Sequence, residues 1–155
     1  MKSITIGLVG NPNCGKTTLF NQLTGANLKV GNWPGVTVEK KTGQFNFKNT
    51  KVNVVDLPGI YSLSATSLDE TIARDYILSG EADVIINIVD ASNLERNLYL
   101  TFQLLEMGVH VIIALNMMDI VEKQRTTIDI QAMAKTLKCP VVPIVAKKKV
   151  KVLIN

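Results

Sequence analysis

The chain has 155 residues, of which 46% are apolar, 19% charged and 5% aromatic. That is enough apolar surface for one domain with its own core. The formal net charge is +4, but without Lys147, Lys148, Lys149 and Lys151 the remaining 13 basic residues equal the 13 acidic ones, so a basic nucleic-acid-binding face is not expected. The longest apolar run is five residues, Val111 to Leu115, against roughly 20 needed to span a bilayer. No leader pattern opens the chain, which is expected to be soluble as given.

Ile4 to Val9 is an apolar run that predicts a strand buried on both faces. Gly10-Asn11-Pro12-Asn13-Cys14-Gly15-Lys16-Thr17 follows it, and Thr18 to Leu23 then has helical spacing. Glycine, four residues, then Gly-Lys-Thr between a strand and a helix is the phosphate-loop pattern. The glycines let successive backbone N–H groups turn inward onto phosphate oxygens, and the helix N-terminus adds partial positive charge. In that pattern Lys16 reaches the terminal phosphates and the Thr17 hydroxyl ligates magnesium. Gly25 is a natural helix stop.

Residues 26–39 carry glycines and a proline without helical period and are read as a long functional loop. Gly43 to Phe47 and Lys51 to Val55 alternate around Lys48-Asn49-Thr50 and predict an antiparallel hairpin. Ser67 with Glu70 predicts a capping box for a helix ended by Gly80, and Ser92 with Glu95 a second box for a helix running towards Gly108. Val84 to Val89, Val109 to Leu115 and Val141 to Val145 read as further buried strands. Asp129 is the expected cap of a helix carrying Ile130, Met133, Ala134 and Leu137. Strand–helix alternation predicts an α/β fold with a mostly parallel sheet and helices on both faces.

Three further stretches sit at strand ends, where open α/β sheets bind ligands. Asp56-Leu57-Pro58-Gly59 offers a carboxylate to a magnesium shell and a backbone N–H to a terminal phosphate. Asn116-Met117-Met118-Asp119 resembles the Asn-Lys-x-Asp signature of guanine-nucleotide proteins, with Met117 in place of lysine. Asp119 can accept from the N1–H and 2-amino group of guanine, a donor pair that adenine lacks. Val145-Ala146-Lys147 resembles a Ser-Ala-Lys base loop, with Val145 replacing the small polar residue. Cys14 and Cys139 are too few for a disulfide framework and read as reduced thiols. His110, the lone histidine, opens a strand and reads as structural.

Together these boxes resemble the Ras-like GTPases, and more narrowly the branch whose loop begins Gly-x-Pro-Asn-x-Gly-Lys. Val30-Gly31-Asn32-Trp33-Pro34-Gly35-Val36-Thr37-Val38-Glu39, Ala73-Arg74-Asp75-Tyr76 and the stretch from Val89 to Leu100 narrow the resemblance to the G domain of the ferrous iron transport protein B family. The resemblance implies a Ras-like fold with about six strands, one of them antiparallel. It implies a G domain over residues 1–146; the lysine-rich end over 147–155 departs from the family pattern, leaving the closing helix absent or incomplete. Guanine nucleotide is then expected on Gly10 to Thr18, on Gly35, Val36 and Thr37, on Asp56 to Gly59, and on Asn116, Met117, Asp119, Val145, Ala146 and Lys147. Magnesium falls to Thr17, Thr37 and Asp56.

The position after Gly59 is Ile60, which cannot orient a water as the glutamine of many Ras-like enzymes does. In the related potassium-activated GTPases, an asparagine three residues before the loop lysine holds a monovalent cation. Here that residue is Asn13, with the backbones of Gly31 and Trp33 as partners. Lys16, Asn13, Thr37 and Gly59 are accordingly the expected catalytic group, with GTP or GDP, Mg2+ and K+ as cofactors. Trp33 is either packed on the domain or a nucleotide-sensitive surface residue of a mobile loop, and the polar residues around it favour the second. The implied partners are guanine nucleotide, the membrane transport domain of the same full-length protein and other copies of the chain, with no nucleic acid. The implied location is the cytoplasmic face of the membrane. An RNA-associated GTPase of the ribosome-assembly or tRNA-modification type shares the loop and stays open as an alternative, as does a GTP-binding module with negligible turnover.

Overall fold

Apolar runs without polar alternation fold as strands covered on both sides, and they form the centre of the sheet. The computed structural model of the chain describes residues 2–146. β1 (Lys2–Gly10), β4 (Thr50–Asp56), β5 (Val84–Asp90), β6 (Val111–Asn116) and β7 (Val141–Pro143) are mutually parallel, and β2 (Leu28–Asn32) and β3 (Glu39–Phe47) complete the sheet. The order is β2-β3-β4-β1-β5-β6-β7, with β3 antiparallel to both of its neighbours. Among the described residues β3 is thus the single reversed strand, as expected, but the sheet has seven strands there rather than about six.

The additional strand is β2, inside the stretch read as a loop. All five of its residues are exposed, so it has no buried face and no period-2 signal. Its register comes only from pairing with β3, from Leu28 opposite Gly43 to Asn32 opposite Glu39.

Helix α1 (Lys16–Thr24) covers one face of the sheet and buries Leu19 and Phe20 with Ile6, Leu8, Val52, Val54, Ile86 and Ile88. On the other face lie α2 (Leu68–Ser79), α3 (Leu94–Glu106), α4 (Met118–Lys123) and α5 (Ile130–Leu137), which share a second core with Val9, Val55, Ile85, Val89, Ile113 and Leu115. The α2 cap forms as expected, with Ser67 Oγ accepting from Glu70 N–H at 3.2 Å. Asp129 caps α5 by accepting from Ala132 N–H at 3.0 Å. The second expected box does not form. Asp90 instead accepts from Ser92 N–H at 2.8 Å, drawing residues 91–93 into a 3-10 turn that delays α3 to Leu94. β7 ends at Pro143, two residues before the expected limit, and α4, which begins within the Asn116–Asp119 stretch, is a helix that was not expected. Among the described residues, no helix is long and apolar enough to cross a membrane.

Candidate functional site

The parallel register of β4 on β1 sets Leu8 opposite Asp56, and that of β6 on β5 sets Asp90 opposite Asn116. The segments leaving β1, β4 and β6 therefore emerge along the same edge of the sheet. At its centre the chain turns through Asn13 (φ 64°) and Gly15 (φ 97°), two left-handed residues that curl the backbone between β1 and α1. Gly10 has no room for a side chain, because a Cβ would stand 2.6 Å from Cys14 Sγ and 2.8 Å from Ile88 O. No side chain caps α1 and no acidic residue lies in its first turn. Beyond the Lys16 N–H, which faces the Cys14 sulfur, its leading N–H groups are left for an external acceptor. A cavity of about 580 Å3 opens over this turn, lined by Asn11, Pro12, Asn13, Lys16, Thr17 and Gly59 among others.

Lys16 Nζ donates to Asp56 Oδ1, joining the loop to the end of β4. The segment beyond Asp56 is stitched to the loop by its backbone. Leu57 N–H donates to Leu8 O at 3.0 Å and Ile60 N–H to Gly10 O at 3.1 Å, while Gly59 packs against Pro12. The Leu57 side chain is fully buried, so it serves the core rather than the cavity. Ile60 is 3% exposed and is likewise a core residue.

Asn116 ties a third segment to the loop. Its amide Nδ2 donates to Cys14 O at 2.9 Å and its Oδ1 accepts from Ala146 N–H at 2.8 Å. Gly15 lies so close beneath it that a Cβ would reach within 2.1 Å of Nδ2. Met117 takes a left-handed turn (φ 67°) and starts α4, placing Asp119 in that helix's first turn. Asp119, Met117, Val145 and Ala146 line a recess that shares Gly15, Thr18 and Met117 with the larger cavity.

Gly10 to Thr18, Asp56 to Gly59, Asn116 to Asp119 and Val145–Ala146 thus gather at one edge of the sheet, while Lys147 lies outside the described residues. The stretch 31–37 is arranged differently. Gly31 pairs with Lys40 within the β2–β3 ladder, Gly35 (φ 75°) forms an exposed turn, Val36 N–H donates to Trp33 O at 3.2 Å, and Thr37 is exposed. None of Gly31, Trp33, Gly35, Val36 and Thr37 lines either cavity. Trp33 is not a surface residue. It is 6% exposed, meets the Tyr76 ring edge-on at 5.6 Å and carries the Lys40 ammonium 4.6 Å above its ring.

Burial pushes the Cys14 thiol up from 9.0 to about 11, against the opposing backbone hydrogen bond at Lys16 and the Lys16 charge. A neutral, enclosed thiol is a packing group. Burial also raises Cys139. Among the described residues, no group of three or more His, Cys, Asp or Glu side chains is placed to hold a metal ion.

Sequence reasoning missed the polar brace behind the loop. Asn87 Nδ2 donates to Val9 O at 3.3 Å, and Thr101 Oγ1 to Asn87 Oδ1 at 2.5 Å. The available signal was an asparagine in the middle of the apolar run Val84-Ile85-Ile86-Asn87-Ile88-Val89. Such a residue must find partners inside the core. Gln103, whose Oε1 accepts from Leu63 N–H at 2.7 Å, gave no comparable signal.

The sequence matches the family described as ferrous iron transport protein B over residues 4–153. It is 65% identical over 152 residues to the Fe(2+) transporter FeoB of Salmonella typhimurium and 64% identical to that of Escherichia coli K12, covering 96% of this chain and 20% of each relative. Among solved structures, the FeoB G-domain from Methanococcus jannaschii is 52% identical with a TM-score of 0.86, covering 96% of this chain and 90% of that one. The GDP form of the T. maritima FeoB cytosolic domain is 47% identical with a TM-score of 0.90, covering 94% and 57%. An S. thermophilus NFeoB mutant bound to GDP is 53% identical with a TM-score of 0.88, covering 92% and 56%. The chain therefore spans about a fifth of the curated relatives' length and has the fold of their G domains. It belongs to the ferrous iron transport protein B family.

Proposed function

We propose that residues 1–146 form a GTPase module that binds GTP with magnesium, hydrolyses it slowly and is stimulated by potassium. The observation that carries this reading is the Asn116 bridge, which joins the phosphate-type loop to the recess holding Asp119. A guanine accepted by the Asp119 carboxylate and phosphates lying on the amides of the loop would then occupy one continuous site. The GDP complexes of the S. thermophilus and T. maritima proteins support the same assignment.

The Thr17 hydroxyl and the Asp56 carboxylate are hard oxygen donors of the kind magnesium takes, and the Lys16–Asp56 contact keeps the carboxylate at the loop. Magnesium, when bound, neutralises phosphate charge. Lys16, released from Asp56, would reach the phosphates, and Gly59 would offer its N–H to the terminal one. Asn13, turned left-handed at the rim of the cavity, offers a side-chain oxygen to potassium. That charge matters because the buried Ile60 cannot orient a water. Thr37 would join the magnesium shell after leaving its exposed position.

In the whole protein we place the module on the cytoplasmic face of the membrane, biasing a ferrous-iron transport domain contained in the rest of the chain. The chain's 20% share of its transporter relatives and the cytosolic domain of L. pneumophila FeoB support that placement. The test is phosphate release from GTP and ATP in potassium and in sodium. Turnover of GTP alone, faster in potassium and with that advantage lost in Asn13→Ala, is the expected result. Equal rates in the two salts would remove the potassium site, and equal use of ATP would remove the role of Asp119.

A further inference from the structure

Asn11 lies in the loop between Gly10 and Pro12 with 3% of its surface exposed, and among the described residues neither its Oδ1 nor its Nδ2 has a hydrogen-bond partner. A buried amide left unpaired is costly, and such groups are rare enough in folded proteins to require a reason. One reason is a second conformation in which the group is paired.

The neighbours of Asn11 indicate what that partner is. Ile60 N–H donates to Gly10 O on one side, and Gly59 packs against Pro12 on the other, where a Cβ would stand 3.4 Å away. The backbone at Gly59–Ile60 is therefore held by both residues that flank Asn11. A carboxamide with a free donor and a free acceptor complements a peptide group, which presents one of each. A cation would satisfy only the oxygen, and a phosphate only the amide hydrogens. The side chain of Ile60 is apolar and buried, so backbone is what this segment has to offer.

We propose that Asn11 is a positioning residue for the 59–61 segment. In the GTP-bound conformer its carboxamide pairs with a peptide group of that segment and holds Gly59 N–H towards the terminal phosphate. In the conformer described above the pair is open. This rests on the guanine-nucleotide reading and adds to it a residue outside the magnesium, potassium and base contacts.

The test compares wild type, Asn11→Ala and Asn11→Ser by titration with GDP and with a non-hydrolysable GTP analogue, alongside thermal melting without nucleotide. The ratio of analogue affinity to GDP affinity is expected to fall about tenfold in Asn11→Ala, roughly the worth of one buried hydrogen bond. Asn11→Ser, which keeps one small donor and acceptor, should fall less. The melting temperature without nucleotide should hold or rise, because the amide has no partner to lose. A proportionate loss for both ligands, as a bridging water or a loop brace would give, overturns the proposal. So does an unchanged ratio in both variants, or a sharp fall in melting temperature. If wild type binds neither ligand, the guanine-nucleotide reading itself fails, and the wild-type titration shows that separately.

Discussion

Replacing Asn116 by alanine tests whether the site is built by bracing or by contact with ligand. The side chain is 3% exposed and makes two hydrogen bonds, to Cys14 O at 2.9 Å and from Ala146 N–H at 2.8 Å. Alanine leaves a carbonyl and an N–H without partners in a buried place. Each unpaired group costs roughly 1–3 kcal/mol, so a loss of about 3 kcal/mol lies within the range for the pair. Total stability is of order 5–15 kcal/mol, so a cooperative transition should survive. For a chain of this size about 3 kcal/mol lowers the melting temperature by roughly 6–12 °C. The assay is thermal and urea unfolding without any nucleotide, so it does not depend on what the site binds. Asn116→Asp keeps the acceptor for Ala146 N–H but sets a carboxylate against the Cys14 carbonyl, and should be at least as destabilising. An Asn116→Ala protein that melts like wild type but has lost nucleotide affinity would refute the bracing argument and make Asn116 a ligand contact.

Gly15→Ala should be worse still, because it combines a left-handed φ of 97° with a Cβ 2.1 Å from Asn116 Nδ2; a wild-type urea midpoint would mean that the loop adapts freely. Cys14 titrates near 11 in the fold against 9.0 for a free thiol. Between those values the unfolded chain holds fewer protons, so the Cys14 contribution is complete below about pH 9 and is lost as pH rises to about 11. Cys14→Ala should flatten the stability–pH curve in that window, and an unchanged slope would refute the assignment. The Tyr76 hydroxyl is buried without a partner among the described residues, so Tyr76→Phe should be neutral or stabilising by about 1 kcal/mol in urea unfolding; a loss of similar size would reveal a partner. Trp33, the single tryptophan, should emit at short wavelength in the fold and shift to the red in urea, and native emission matching the unfolded protein would contradict its burial.

What the sequence revealed, and what it concealed, follow from where the information resides. β1, β5 and β6 are covered on both faces, so burial wrote continuous apolar runs into the chain. The loop from Gly10 to Thr17 was legible because its geometry excludes side chains at Gly10 and Gly15, and that exclusion is a property of single residues. β2 was illegible because an exposed edge strand is specified by its partner, not by its own pattern. The Ser92–Glu95 box failed for a related reason. Asp90 ends a strand two residues before Ser92, and its carboxylate reaches the Ser92 N–H first. Asn116 was expected as a nucleotide contact, and its bridge to Ala146 was illegible because that residue is thirty positions away and no local pattern announces the contact.

The burial of Trp33 and Ile60 has a further consequence. In a simple picture, the segments that respond to a terminal phosphate are loops laid over a finished core. Here Trp33, Leu57, Ile60 and Leu63 belong to the same buried cluster as Ala73, Tyr76 and Ile77 of α2 and Leu100 and Leu104 of α3. If Thr37 and Gly59 are to close on a nucleotide, the residues four before Thr37 and one after Gly59 must keep, or exchange, their places against those helices. Exposing a side chain of this size costs about 1.5–3 kcal/mol, comparable to the differential affinity that shifts a two-state equilibrium by roughly ten- to a hundred-fold. The motion therefore cannot be a free loop closure. Either the backbone turns at Gly35 and Gly59 while Trp33 and Ile60 stay anchored, or α2 and α3 move with the segments they hold. In the second case those helices, with Leu63 N–H bonded to Gln103 of α3, carry the signal away from the nucleotide edge. The two cases separate on Gln103→Ala. It should change nucleotide affinity through this tether if α3 moves with the segment, and leave it unaltered if the anchors hold still.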